Sequence, residues 1–122
     1  MKIASMKIAL RALRAPLPWL ALCAAAHADD AKVFSVTLPP GDMHEECLTL
    51  AAGQKRGYSW KSDTPVDFNI HYHEAGKVSY PVKRDAMRGD GGTFVAKVAQ
   101  DYCWMWSARD KPAKLTGKVE PR

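Results

Sequence analysis

The chain has 122 residues, 18 Lys and Arg against 13 Asp and Glu, a formal charge of +5 and an isoelectric point near 9.2. That length suits a single domain. Four of the basic residues, Lys2, Lys7, Arg11 and Arg14, precede every acid, so the basic excess belongs to the start of the chain and argues against a nucleic-acid partner.

The first 28 residues read as an export signal: a basic opening, an apolar run from Ala15 to Ala26, and Ala26-His27-Ala28 in the small-x-small pattern of a signal-peptidase site. A start at Met6 would leave a shorter signal of the same kind. The run is too short for a membrane-spanning helix, and no later apolar stretch nears the ~20 residues that a transmembrane segment requires. Cys23 raises the alternative of lipidation, but Leu22 stands before it, where that processing wants a small residue. Cleavage after Ala28 leaves residues 29–122, 94 in all, and lowers the charge from +5 to +1 because four basic residues go and no acid does. The product is expected to be soluble and periplasmic or secreted. It keeps two cysteines, Cys47 and Cys103, and an even pair in a small exported domain is most simply a disulfide. Closing a loop of that length stabilises by ~3–5 kcal/mol on the chain-entropy account. The alternative is a reactive or metal-binding thiol.

From there the chain alternates turn signals with short segments rich in β-branched and aromatic residues. Strands are expected near 32–38, 47–51, 55–61, 66–73, 77–83, 92–99, 102–107 and 114–119, about eight in all. Turns are expected at Pro39-Pro-Gly-Asp42, Ala52-Gly53, Ser62-Asp-Thr-Pro65, Glu74-Ala-Gly76, Arg88-Gly-Asp-Gly-Gly92 and Ala108-Arg-Asp-Lys-Pro112. Gly76 can take the positive φ of a tight hairpin turn, pairing strand 66–73 with strand 77–83. The pattern describes an all-β, antiparallel sandwich. A period of two turns Val66, Phe68, Ile70 and Tyr72 to one face, with Val78, Tyr80 and Val82 on the next strand. Tyr102, Trp104 and Trp106 form a third inward stripe, supported by Phe94, Ala96 and Val98. Asp67, Asn69, His71 and His73 take the opposite face.

These segments carry a family likeness. Phe68-Asn-Ile-His-Tyr-His73 followed by Val78-Ser-Tyr80, Gly91-Gly-Thr-Phe94 with Tyr102 and Trp106, and Cys47-Leu-Thr-Leu-Ala-Ala-Gly53 together resemble GOLD domains, the lumenal sandwiches of vesicle cargo receptors, over residues 32–120. The resemblance implies a jelly-roll-like fold that binds proteins or lipids rather than catalysing a reaction. It departs at the second cysteine, which here is Cys103 where the family pattern falls on Met105. A role in vesicle traffic is not carried over.

Each chemical candidate has a plainer alternative. His71 and His73, two apart on a strand, share a face, and with His44 from the loop before Cys47 they would offer a copper or zinc site. A polar sheet face is the plainer reading. A cupin-type site also wants an acid where Lys77 stands. Ser59, His71 and Asp67 assemble into a hydrolase triad only as almost any sequence would allow, with no nucleophile-elbow signature. Trp60 is either core or a carbohydrate platform. Lys83 and Arg84, near Arg88, would contact an anionic lipid headgroup or a partner protein.

The sequence thus describes an exported, non-catalytic binding module needing no cofactor. Its binding face is Asn69, His71, His73, Lys83 and Arg84, and its partner an envelope or secreted protein. The alternative is a periplasmic copper- or zinc-binding protein.

Overall fold

The computed structural model describes residues 31–122 and, before them, Pro16. The export signal, its cleavage after Ala28, and Cys23 lie outside the described residues. Six strands follow in order: β1 (Lys32–Leu38), β2 (Met43–Leu50), β3 (Lys55–Glu74), β4 (Lys77–Val95), β5 (Gln100–Ala108) and β6 (Ala113–Pro121). All pairings are antiparallel.

The long β3–β4 hairpin organises the molecule. Its first half, with β3 from Arg56 to Ser62, pairs with β6, which pairs with β1. Its second half, with β3 from Val66 to His71, pairs with β5, which pairs with β2. The hairpin therefore belongs to both layers of a sandwich, with β4 outermost in each.

Two expected strands on each side of this hairpin are continuous. Ser62-Asp-Thr-Pro65 does not turn the chain back but bends it from one layer into the other. There the β3–β4 register jumps between Lys61 and Val66, placing extra residues in β3, as bulges do where a strand must bend. Ser62 Oγ donates to Thr64 O at 2.6 Å, and Thr64 Oγ1 to Pro112 O at 2.7 Å, so the corner is tied to the β5–β6 connection. The Gly-rich segment 88–92 is likewise strand rather than turn. Gly91 pairs with Ser59 and Gly89 with Lys61. A Cβ at either would sit 3.0–3.1 Å from a β3 carbonyl oxygen, so here glycine allows close strand approach. At the hairpin tip the expected turn is present: Ala75 and Gly76 both have positive φ, at 49° and 75°, and Glu74 pairs with Lys77.

Between the layers lies an aromatic core. Phe34 and Trp60 from the first layer meet Trp106 from the second at ring-centroid distances of 4.6 and 6.4 Å, and Trp60 meets Phe68 at 5.4 Å. Phe94 packs on Tyr102 and Trp104 at 5.0 and 5.5 Å. Val66, Ile70, Leu115 and Val119 fill the rest, all buried. Each such side chain contributes ~1.5–3 kcal/mol by leaving water. Trp60 is thus core and not an exposed sugar platform. Gly117, between Phe34 and Trp60, leaves no room for a Cβ, which would meet those side chains at 2.6 and 2.8 Å.

The inward stripes of 66–70 and 102–106 are as expected, but three assignments differ. Val78, Tyr80 and Val98 are exposed by 41%, 48% and 44%. For the first two the reason is a one-residue register shift: Ile70 pairs with Val82 but Tyr72 with Ser79. The extra β4 residue falls at Tyr80-Pro81, where proline has no N–H to lose. One extra residue reverses which side chains face inward, so Val82 stays half-buried while Tyr80 turns out. Val98 lies beyond the end of β4, which closes at Val95.

Candidate functional site

Two regions carry features that packing alone does not require. The first is the outer face of the second layer. Alternation along β3 places Asn69 and His71 there, and the neighbouring β5 and β2 contribute Cys103, Met105, Glu45 and Cys47. His71 pairs with Cys103, Asn69 with Met105, Glu45 with Met105, and Cys47 with Cys103. The Cys47–Cys103 disulfide is present, its Cα atoms 4.1 Å apart, in directly opposed positions of an antiparallel pair.

This face is outward, yet Asn69 and His71 are only 8% and 5% exposed. Buried polar groups require partners. Asn69 Oδ1 lies 2.6 Å from His71 Nδ1. The amide oxygen only accepts, so Nδ1–H donates and Nε2 is left with its lone pair. That nitrogen faces the Glu45 carboxylate at 3.5 Å. Glu45, His71 and Cys103 each offer a ligand-type atom, all within 4.8 Å of one another. Burial lowers the His71 pKa. Glu45 acts in the opposite direction, and His73 adds to the lowering. His73 is exposed, its ring centroid 5.3 Å from that of His71, and the Tyr80 ring centroid lies 5.9 Å from His71.

The structure does not bring the other expected ligand here. His44 is not in a loop, because β2 begins at Met43. Parity then places His44 and Glu46 on the inner side of β2 and Glu45 on the outer. His44 packs on Phe34 at 4.7 Å and approaches Trp106 at 5.9 Å, and its Nε2 lies 3.0 Å from Glu46 Oε1. Parity also splits Lys83 from Arg84. Lys83 pairs with Asn69 and lies 5.4 Å over the Tyr80 ring, on the histidine side. Arg84 pairs with Phe68 on the inner side. There it opposes the burial and the Asp90 charge that raise the Tyr58 pKa. The expected binding face therefore keeps Asn69, His71, His73 and Lys83 together and loses Arg84.

Asp67, read above as a strand-face acid, anchors a bend. Its Oδ1 accepts from Ala86 N at 2.9 Å and from Arg109 Nη1 at 2.6 Å. Ala86 has φ 53°, rare for a residue with a side chain, at a second one-residue shift between Val66 and Phe68.

The second region is an open groove of about 490 Å³ at the β4 edge, between the hairpin tip of the second layer and the end of β4 in the first. Tyr72, Val82, Phe94 and Tyr102 line it, and the exposed Tyr80, Val95 and Val98 rim it, with Lys97 beside them. An Asn-x-His motif signals the outer cluster in sequence. No comparable signal marks the groove, whose apolar rim arises from the Tyr80-Pro81 bulge and the end of β4.

No protein-family model and no curated protein matches the chain. Solved structures do. The chain is similar to Aeromonas hydrophila PliG, a periplasmic lysozyme inhibitor of g-type lysozyme. The TM-score is 0.56 at 12% identity, over 80% of this chain and 90% of that one. It is also similar to the Yersinia pseudotuberculosis-derived mitogen, with a TM-score of 0.57 at 6% identity, over 76% of this chain and 86% of that one. At such identities the likeness is one of fold: an all-β antiparallel sandwich.

Proposed function

We propose that the chain is an exported, non-catalytic protein-binding module acting in the periplasm or outside the cell, with the β4-edge groove as its docking surface. The observation that carries this is the exposed apolar rim of Tyr80, Val95 and Val98 around that groove. Contiguous apolar surface beside an outer strand is the kind of feature that protein partners cover. The disulfide suits an oxidising compartment. The likeness to a periplasmic lysozyme inhibitor supports a protein partner, and makes a cell-wall-lytic enzyme the first candidate. The GOLD resemblance of residues 32–120 belongs to the same proposal, since it too implies binding without catalysis.

The test is direct binding of purified residues 29–122 to immobilised g-type lysozyme, with lysis of cell-wall substrate followed in parallel. Stoichiometric binding that slows lysis, lost in Tyr80→Asp and Val98→Asp but kept in Arg88→Ala, is the expected outcome. The reading fails if neither g-type lysozyme nor any envelope protein shows binding sensitive to those two substitutions.

A further inference from the structure

The outer cluster gathers four metal-ligand-type side chains, Glu45, Cys47, His71 and Cys103, on adjacent strands. With Nδ1–H given to Asn69 Oδ1, His71 presents Nε2 as an acceptor, and it faces another acceptor, Glu45 Oε1, 3.5 Å away. With the imidazole neutral, two acceptors at that distance repel, and either a proton on Nε2 or a metal ion between them relieves the repulsion. The nearest further groups are the two sulfurs. Cys103 Sγ is within 4.8 Å of both the imidazole and the carboxylate ligand atoms, and Cys47 Sγ is 3.5 Å from Glu45 Oε1. While joined, the sulfurs carry no thiolate and are poor ligands. Separated, they complete a set of two sulfurs, one nitrogen and one oxygen on adjacent strands.

We propose that the Cys47–Cys103 disulfide masks a metal site, and that the reduced chain binds one Zn(II) through Cys47, Cys103, His71 Nε2 and Glu45. Four ligands of these types suit tetrahedral zinc. Asn69 acts as a positioning residue, fixing the tautomer that aims Nε2 at the site, as partners beyond the ligands do in metal centres generally. Cys47 is exposed on the surface, where a reductant has access. The chemistry balances simply. A dithiol reductant gives two electrons and two protons to the S–S bond and leaves as its own disulfide, and zinc then displaces the two thiol protons to solvent. Metal and oxidation are thereby mutually exclusive, so zinc shifts the thiol–disulfide equilibrium toward the thiols. None of the four ligands lines the groove proposed above, so failure of this site leaves that reading untouched.

The experiment uses Co(II) as a spectroscopic stand-in for zinc, added anaerobically to residues 29–122 after phosphine reduction and removal of the phosphine. The reduced chain is expected to show thiolate-to-cobalt charge transfer and tetrahedral ligand-field bands saturating at one Co(II) per chain, abolished by one equivalent of Zn(II). The oxidised chain is expected to show neither. Glu45→Gln, at an exposed position, and Asn69→Ala are each expected to weaken affinity about tenfold or more. His71→Ala loses the site, while His73→Ala and His44→Ala keep it. Absence of the thiolate band, an undiminished band in His71→Ala, or equal uptake by the oxidised chain overturns the proposal. If reduction alone removes the near-UV aromatic signal, zinc must restore it, and failure to do so also overturns the proposal.

Discussion

The two faces of β3 between Val66 and His73 are built to different rules. The inner face, Val66, Phe68 and Ile70, is fully apolar and at most 1% exposed, and it meets aromatic rings from the other layer. The outer face, Asp67, Asn69, His71 and His73, is polar, yet its two central residues are nearly as buried. On the inner face any well-shaped apolar side chain is satisfied by being covered. On the outer face the two buried groups depend on each other, His71 Nδ1–H donating to Asn69 Oδ1, with the Glu45 carboxylate facing the other ring nitrogen. The inner face therefore determines how stable the sandwich is, and the outer face determines what chemistry it presents.

The comparison is broken most severely from the inner side. Trp106 contacts Phe34, Trp60 and Phe68 and is wholly buried. Trp106→Ala should cost ~3–5 kcal/mol, read as a fall in the denaturation midpoint with both layers affected. Gly117→Ala should come next, at ~1–3 kcal/mol, because Phe34 and Trp60 have to move aside from the added methyl group. A midpoint unchanged by that substitution would mean that the Phe34–Trp60 contact is looser than its geometry implies.

The outer face responds to pH rather than to volume. The folded His71 pKa is lowered from 6.5, chiefly by burial. The unfolded chain therefore takes up the proton first as pH falls. The contribution is fully present above about pH 6.5, and it declines as pH drops below that value toward the folded pKa. His71→Gln should flatten this part of the stability–pH curve while leaving the neutral-pH value comparatively close to wild type. An equally steep curve in the variant would assign the titration to other groups.

These contrasts also explain what could be read from the residues alone. The inner stripes at 66–70 and 102–106 follow from a period of two in strands long enough to hold a register, and the Ala75-Gly76 turn follows from local φ preference. The disulfide follows from parity and compartment. Turn-type residues mark 62–65, but nothing local says that the strand bends there instead of reversing. The bulges at 80–81 and 85–86 carry no comparable signal, since tertiary fit decides where an extra residue is accommodated. The bulge at 80–81 reversed the side chains beyond it, which is why Tyr80 turns outward, whereas Arg84 parts from Lys83 by simple strand alternation. His44 was misplaced for a related reason: a strand beginning four residues earlier than expected gave it a defined side. Gly89 and Gly91 look like a turn to any local rule, and only the neighbouring β3 backbone shows that they serve close approach.

The smallest expected effect sharpens the contrast between local and tertiary control. Ala75 and Ala86 both hold positive φ, at 49° and 53°, a conformation that costs an ordinary residue ~1–2 kcal/mol. At Ala75 the turn itself demands it, because two-residue hairpins of this hand want positive φ at both centres and favour Asn or Gly at the first. At Ala86 the demand comes from elsewhere: Asp67 Oδ1 holds its N–H from across the hairpin. Ala75→Gly should therefore raise stability by up to about 1 kcal/mol, the relief of strain being partly offset by the greater freedom of glycine in the unfolded chain. Ala86→Gly should do the same in the wild-type background. In an Asp67→Ala background the gain at position 86 should shrink, since the segment can then relax away from positive φ, while the gain at position 75 should persist. A double-mutant cycle by chemical denaturation measures this directly. Coupling at 86 without coupling at 75 would show one turn written in local sequence and one bend imposed by the fold.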